Sequence, residues 1–231
     1  MIGKSGSGKT AAMMNLGIVI VPKMSKPTHD WEVWYIYTKG DSTDLIRLAK
    51  LGYVPYSLKD NKEWDTSTVR HWYFYLKPSD SMSIEAQIQV ICAMALERGQ
   101  VFLMIDELVH AIYSRVNPGK KLKEVIHVGR GLDVGAAYGS QEPVNIPRQV
   151  FTQSNHIFLF HLFFTNDITF VKKMFAGWTR PKSPYGFWYT YVDQLSHNSS
   201  NDLTNMDWKE YNNFQEWVEQ FPHSERYKLI F

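Results

Sequence analysis

The first ten residues constrain this chain more than any other stretch. Gly3-Lys4-Ser5-Gly6-Ser7-Gly8-Lys9-Thr10 satisfies the pattern G-x-x-x-x-G-K-[ST] with no mismatch. In that pattern glycines let the backbone curl until successive N–H groups face the phosphate oxygens, and the helix that follows adds its positive end. Lys9 then reaches the β- and γ-phosphates of ATP as a point charge, and the Thr10 hydroxyl is placed to ligate Mg²⁺. Ala11-Ala12-Met13-Met14-Asn15-Leu16 continues as a helix-compatible run, which favours a nucleotide site over a Gly/Ser-rich turn. A phosphate loop normally follows a buried strand. Only Met1 and Ile2 precede Gly3, too few for a central strand, so the expectation is a truncated first strand or another segment in its place.

The second informative stretch is Val101-Phe102-Leu103-Met104-Ile105-Asp106-Glu107. Five apolar residues predict a strand buried on both faces, with its acids at the C-terminal end, where open α/β sheets place their ligands. Asp106 is the natural anchor for Mg²⁺, and Glu107 is positioned to polarise a water for attack on the γ-phosphate. The strands expected around Trp34 and Tyr73 suit the additional-strand, catalytic-glutamate type of P-loop NTPase, the RecA-like type.

Composition sets the frame for these motifs. A chain of 231 residues with 44% hydrophobic content and 13 Phe, 13 Tyr and 8 Trp has ample material for one α/β domain with a C-terminal extension. Its net charge of +2 excludes a polycation, so contact with nucleic acid requires a local basic patch. The single Cys92 excludes an internal disulfide and fits a reducing compartment. The apolar runs 16–22 and 157–164 are too short to span a bilayer as helices, and no signal peptide opens the chain. The expectation is a soluble protein.

In chain order, a loop at 22–30 precedes a strand at 32–37, and Asp41 to Asp44 caps a helix that stops at Gly52. A polar stretch at 59–68 leads to a strand at 71–76. Ser83 starts a helix that runs to Gly99. Strands alternating with helices of this length predict a mainly parallel sheet flanked by helices on both faces. Past the acidic strand, a turn at 114–123 carries Arg115, Lys120, Lys121 and Lys123, candidates for contact with DNA phosphates. A helix from Glu124 runs into Gly129-Arg130-Gly131, and a small-residue strand at 134–141 ends in Gln141. An amide there would reach the γ-phosphate or the attacking water. A short helix begins at Pro147-Arg148, and a buried strand follows at 155–163. His156 and His161 read as structural, and Asn166-Asp167 caps the next helix. From residue 178 the pattern changes to an aromatic strand at 185–191 and a polar, Asn/Ser-rich linker at 194–205 that includes Asn198-Ser199-Ser200. A final helix bears Trp208, Tyr211, Phe214, Val218 and Phe221. Residues 1–177 thus read as an ATPase core and 178–231 as an appendage. Trp178, Trp188 and Tyr189 suit base stacking or core.

The motifs also occur in a familiar order. The phosphate loop, Met104-Ile105-Asp106-Glu107, Gly129-Arg130-Gly131-Leu132, Gly139-Ser140-Gln141-Glu142-Pro143, Ile146-Pro147 and a hydrophobic strand before Asn166-Asp167 together resemble the FtsK/HerA superfamily of DNA-pumping ATPases. The resemblance is to the genome-packaging ATPases of viruses and related phages in particular, over roughly residues 3–176. It implies ATP and Mg²⁺ as cofactors and a homo-oligomeric ring, hexamer or pentamer, each site completed by a neighbour's arginine. Arg130 is the first candidate for that finger and Arg148 the second. It further implies double-stranded DNA as the substrate moved, capsid portal or vertex proteins as partners, and a place in the host cytoplasm or on the virion. A related phage-assembly ATPase of the zonula-occludens-toxin type, exporting single-stranded DNA at a membrane, shares the core but usually carries a transmembrane segment. A nucleotide-binding assembly module without transport is the reading of another class.

Overall fold

In the computed structural model, residues 1–20, 31–39, 42–58, 70–78, 82–175, 178–191 and 208–220 are described. The loop, polar stretch and linker expected at 22–30, 59–68 and 194–205, the cap at Asp41 and the terminal Phe221 lie outside them. The chain divides into two compact units, Met1–Ala12 with the described residues of Ser140–Ile230, and Met13–Gly139.

In the unit Met13–Gly139, segments rich in β-branched and aromatic residues pair side by side, as their propensity dictates. They are β1 (Glu32–Tyr37), β2 (Val54–Tyr56), β3 (His71–Tyr75), β4 (Val101–Asp106) and β5 (Val134–Tyr138). All pair in parallel in the order β2-β3-β1-β4-β5. Every residue of β1 and β4 is buried, as continuous apolar runs in a covered parallel sheet should be. The strands at Trp34 and Tyr73 stand on one side of β4, and β5 stands on the other. The register sets Tyr37 opposite Asp106, so the residues just past β1 emerge beside the acids.

The helices follow their punctuation. Helix α1 (Lys9–Asn15) leaves the phosphate loop and continues as a π-helical turn, Leu16–Ile20. Helix α2 (Ser42–Lys50) precedes Gly52 at φ +86°. Helix α3 (Ile84–Arg98) is capped by Ser83, whose Oγ accepts the Ala86 N–H at 3.3 Å, and stops at Gly99 in a left-handed turn. Helix α4 spans Lys120–Val128. It therefore begins four residues before the expected Glu124, and Lys120, Lys121 and Lys123 lie in its first turn rather than in a loop.

In the other unit, β6 (His156–Leu159), β7 (Phe187–Tyr191) and β8 (Lys209–Tyr211) form an antiparallel sheet in that order. Helices α5 (Arg148–Thr152), α6 (Thr165–Met174) and α7 (Phe214–Gln220) complete it. The aromatic strand of the C-terminal segment thus pairs with β6. Tyr211, expected on a helix, belongs to the edge strand of this sheet, Trp208 lies just before that strand, and the helix starts only at Phe214. Its anchor is Trp217, 1% exposed, packed edge-on against Phe158 and Tyr189 with ring centroids 5.0 and 5.3 Å away. Trp178 and Tyr189 are buried, so they build core and present no face for a base. No helix among the described residues is long and apolar enough to cross a membrane.

Candidate nucleotide-binding site

The phosphate motif hangs from a two-residue stub bonded on both sides. Ile2 bridges Ser140 and Leu159, in parallel with each. The Ile2 N–H donates to Phe158 O at 2.9 Å and the Phe160 N–H to Ile2 O at 2.7 Å. On the other side, Met1 O accepts from the Ser140 N–H at 3.0 Å and Ser140 O accepts from the Gly3 N–H at 3.0 Å. Met1 and Ile2, expected to be too short for a strand, thus stand in the place of one. The Lys4 N–H then donates to His161 O at 2.7 Å, and the Ser7 Oγ donates to Lys4 O at 2.9 Å, closing the loop on itself. Gly6 and Gly8 sit at φ +75° and +88°, where a side chain is strained. The Ala12 N–H donates to Gly8 O at 2.9 Å to open α1. Lys9 is 3% exposed, which holds its ammonium out of solvent, where charge interactions are little screened.

The acids at the end of β4 form a second cluster within the unit Met13–Gly139. Asp106 is fully buried and Glu107 is 4% exposed. Just past β1, the Lys39 Nζ donates to both Asp106 oxygens at 3.0 Å and lies 4.0 Å from Glu107 Oε2. The Thr38 Oγ1 donates to Asp106 O at 3.3 Å and lies 3.2 Å from His110 Nδ1. Glu107 adopts φ +71°, ψ +73°, a left-handed conformation that a non-glycine residue holds only where its surroundings enforce it. Enforcement comes from the next residue, whose N–H donates to Gly139 O at 2.7 Å. Gly139 itself has no room for a side chain: a Cβ would lie 2.6 Å from Met13 Sδ and 3.2 Å from Asp106 Oδ1. Burial and the Asp106 charge push the Tyr35 phenol well above its ordinary value.

Among the described residues no group of three or more His, Cys, Asp or Glu side chains is arranged to hold a metal. Mg²⁺ at a phosphate site needs less, one or two carboxylates plus substrate phosphates. Both Asp106 oxygens already turn on one cationic atom, so the carboxylate fits a Mg²⁺ ligand, with the Lys39 ammonium in the cation's place.

The remaining candidates are less assembled. Gln141 is partly buried and lies three residues past the end of β5, beyond Ser140, which is fully buried and whose Oγ accepts the Glu142 N–H at 3.2 Å. Arg148 is exposed at the start of α5, with Pro147 as its cap. Arg130 lies in the 3₁₀ turn Gly129–Leu132, and its side chain is outside the described set. Arg115, Lys120 and Lys123 are exposed, while Lys121 pairs with Glu124 at 2.9 Å. Asp167 does not cap α6: the cap position is Phe164 with no side-chain bond. Asp167 is instead buried, and desolvation raises its carboxyl pKa, with the Val144 N–H opposing. His156 and His161 are structural, bonding Tyr189 Oη at 2.9 Å and Ser183 O at 2.7 Å. Sequence reasoning missed Thr38, Lys39 and Ser140. The first two follow only from the β1–β4 register, and Ser140 from the pairing of Ile2.

Comparison with structures of known proteins bears on the fold. The sequence matches no protein-family model and no curated protein. The structure of the genome packaging NTPase B204 from Sulfolobus turreted icosahedral virus 2 in complex with ATP-gammaS superposes with a TM-score of 0.63, covering 92% of this chain and 95% of that one at 16% identity. The chain shares the B204 fold. The AMP complex of B204 gives a TM-score of 0.62 at 15% identity, with the same coverage. The DNA-packaging ATPase B204 of Sulfolobus turreted icosahedral virus gives 0.58 at 16% identity, again covering 92% and 95%. The mainly parallel sheet with flanking helices is thus the P-loop NTPase fold of these B204 structures.

Proposed function

We propose that the protein is an ATP-hydrolysing motor that drives double-stranded DNA into a viral capsid. The observation that carries this reading is an intact G-x-x-x-x-G-K-T loop, curled and bonded on both sides, in a fold shared with a genome packaging NTPase solved with AMP, AMPPCP and ATP-gammaS. In this account the backbone of Gly3 to Thr10 cradles the phosphates and Lys9 neutralises their charge. Thr10 and Asp106 supply oxygen ligands to Mg²⁺, which, when bound, offsets negative charge on the β- and γ-oxygens. Glu107 takes the proton of the attacking water, and Gln141 orients that water or senses the γ-phosphate. Subunits assemble in a hexameric or pentameric ring in which Arg130, or else Arg148, of a neighbour completes each site. Arg115, Lys120, Lys121 and Lys123 contact the phosphates of the DNA, and the ring works at a capsid portal or vertex, in the host cytoplasm or on the virion.

Two substitutions test the hydrolytic part. Lys9→Ala abolishes ATP turnover. Glu107→Gln keeps ATP binding while lowering kcat by about 10²–10⁴-fold, the usual contribution of a positioned base. Normal turnover by the Gln variant would remove Glu107 from the mechanism.

A further inference from the structure

Two aromatic side chains beside the phosphate loop stand in solvent. Phe163 is 61% exposed and Tyr185 is 62% exposed, whereas Phe158, Phe160 and Phe187 nearby in sequence are buried. Exposed rings beside a ligand loop offer apolar faces that a flat group can cover. Both belong to the unit that carries the loop, and both lie against it. In the chain leaving β6, His161 O accepts from the Lys4 N–H, and two residues later the Phe163 ring takes the Lys4 Nζ at 3.9 Å from its centroid, with the Arg180 guanidinium 6.0 Å away. Tyr185 arrives from the turn before β7, which the bond between His161 Nε2 and Ser183 O ties to the same place. Its Cδ1 lies 3.7 Å from where a Cβ on Gly8 would be.

The side of the loop matters. Ile2 has Ser140 on one flank and Leu159 on the other. The Ser140 flank leads to Gln141, the residue assigned to the γ-phosphate end of the ligand. The Leu159 flank leads on through residues 160–162 to Phe163, four residues past the end of β6. A nucleotide whose phosphates lie on Gly3 to Thr10 has one large flat group left to place; the exposed Phe163 ring with Lys4 and Arg180 beside it, and the exposed Tyr185 ring beside Gly8, offer faces for such a group.

We infer that Phe163 and Tyr185 form the seat of the nucleobase, and that the ligand is a purine nucleoside triphosphate. This rests on the reading of Gly3 to Thr10 as a phosphate site. Stacking on aromatic rings tolerates any base with a π-face and rewards the larger one, so the seat discriminates purine from pyrimidine more than ATP from GTP.

The test compares binding of ATP, CTP and inorganic tripolyphosphate to the full chain and to Phe163→Ala, Tyr185→Ala and the double variant. Phe163→Leu serves as an apolar, non-aromatic control. Because both side chains are exposed, folding is unaffected. The double variant is expected to lose about tenfold or more in ATP affinity, to lose the preference for ATP over CTP, and to bind tripolyphosphate as the wild type does. Unchanged ATP affinity overturns the inference, as does an equal loss for ATP and tripolyphosphate. A changed oligomeric state with ATP affinity intact overturns it in favour of a subunit contact. Lys9→Ala separates the two readings: if it leaves tripolyphosphate binding intact, the phosphate site itself fails, whatever the aromatic variants do.

Discussion

Lys39 and Asp106 are 67 residues apart in sequence, yet one ammonium serves both carboxylate oxygens. Asp106 is fully buried and the Lys39 side chain is 22% exposed, so removing the lysine leaves a desolvated carboxylate to find another cation. Lys39→Met should therefore destabilise the metal-free protein by about 1–3 kcal/mol, and added Mg²⁺ should restore most of that. Thermal melts with and without Mg²⁺ check it. A Tm loss that is the same in both conditions would mean that Asp106 is no cation seat. Gly139→Ala acts on the same acid from the other direction. Its methyl group enters space held by Met13 Sδ and Asp106 Oδ1, an overpacking that costs about 1–3 kcal/mol, read as a lower denaturation midpoint. At this scale the sequence was readable where chemistry is written in local spacing. Lys9 and Thr10 directly follow Gly8 in a fixed pattern, and Asp106-Glu107 ends an unbroken apolar run. Lys39 was not readable, because nothing near it in sequence shows that Tyr37 pairs with Asp106 and brings it alongside.

Among the elements, α4 carries three lysines in its first turn and no acid there. Cations at that end oppose the helix dipole; Lys121 is paired with Glu124, and the proposed contact with DNA would engage Lys120 and Lys123. Lys120→Glu should raise stability by about 0.3–1 kcal/mol while weakening DNA binding and flattening its dependence on salt. Denaturation midpoints and filter-binding titrations over a salt series read both effects. An unchanged salt slope would move the DNA contact to another element. The β6–β7 pair holds a pH-sensitive point. Burial pushes the His156 imidazole down to about 4, so the folded protein keeps it neutral while the unfolded chain protonates it near 6.5. Between those values the unfolded state binds more protons, and stability falls as the pH drops from about 6.5 towards 4. His156→Gln should flatten that stretch of a stability–pH curve measured by urea denaturation. Helix α3 was legible to the residue because Ser83 and Gly99 punctuate it. Strand β8 was not, because Trp208, Tyr211 and Phe214 have helical spacing, and only pairing with β7 puts Tyr211 in an edge strand.

For the whole molecule, periodicity and strand–helix alternation were enough to give the parallel sheet, since buried parallel strands announce themselves as apolar runs. The division into units was not readable. It depends on Met1 and Ile2 bonding to Ser140 and to residues 158–160, pairings between segments well over a hundred residues apart. The account's central claim, that nucleotide turnover serves the movement of DNA, belongs to this scale, because it needs subunits, nucleotide and duplex together. The most direct measurement is steady-state ATP hydrolysis with and without double-stranded DNA, with Glu107→Gln as the blank. The account predicts that duplex DNA raises the rate several-fold and that neutralising Lys120, Lys121 and Lys123 removes the increase while leaving the DNA-free rate in place. A rate indifferent to duplex DNA would contradict it.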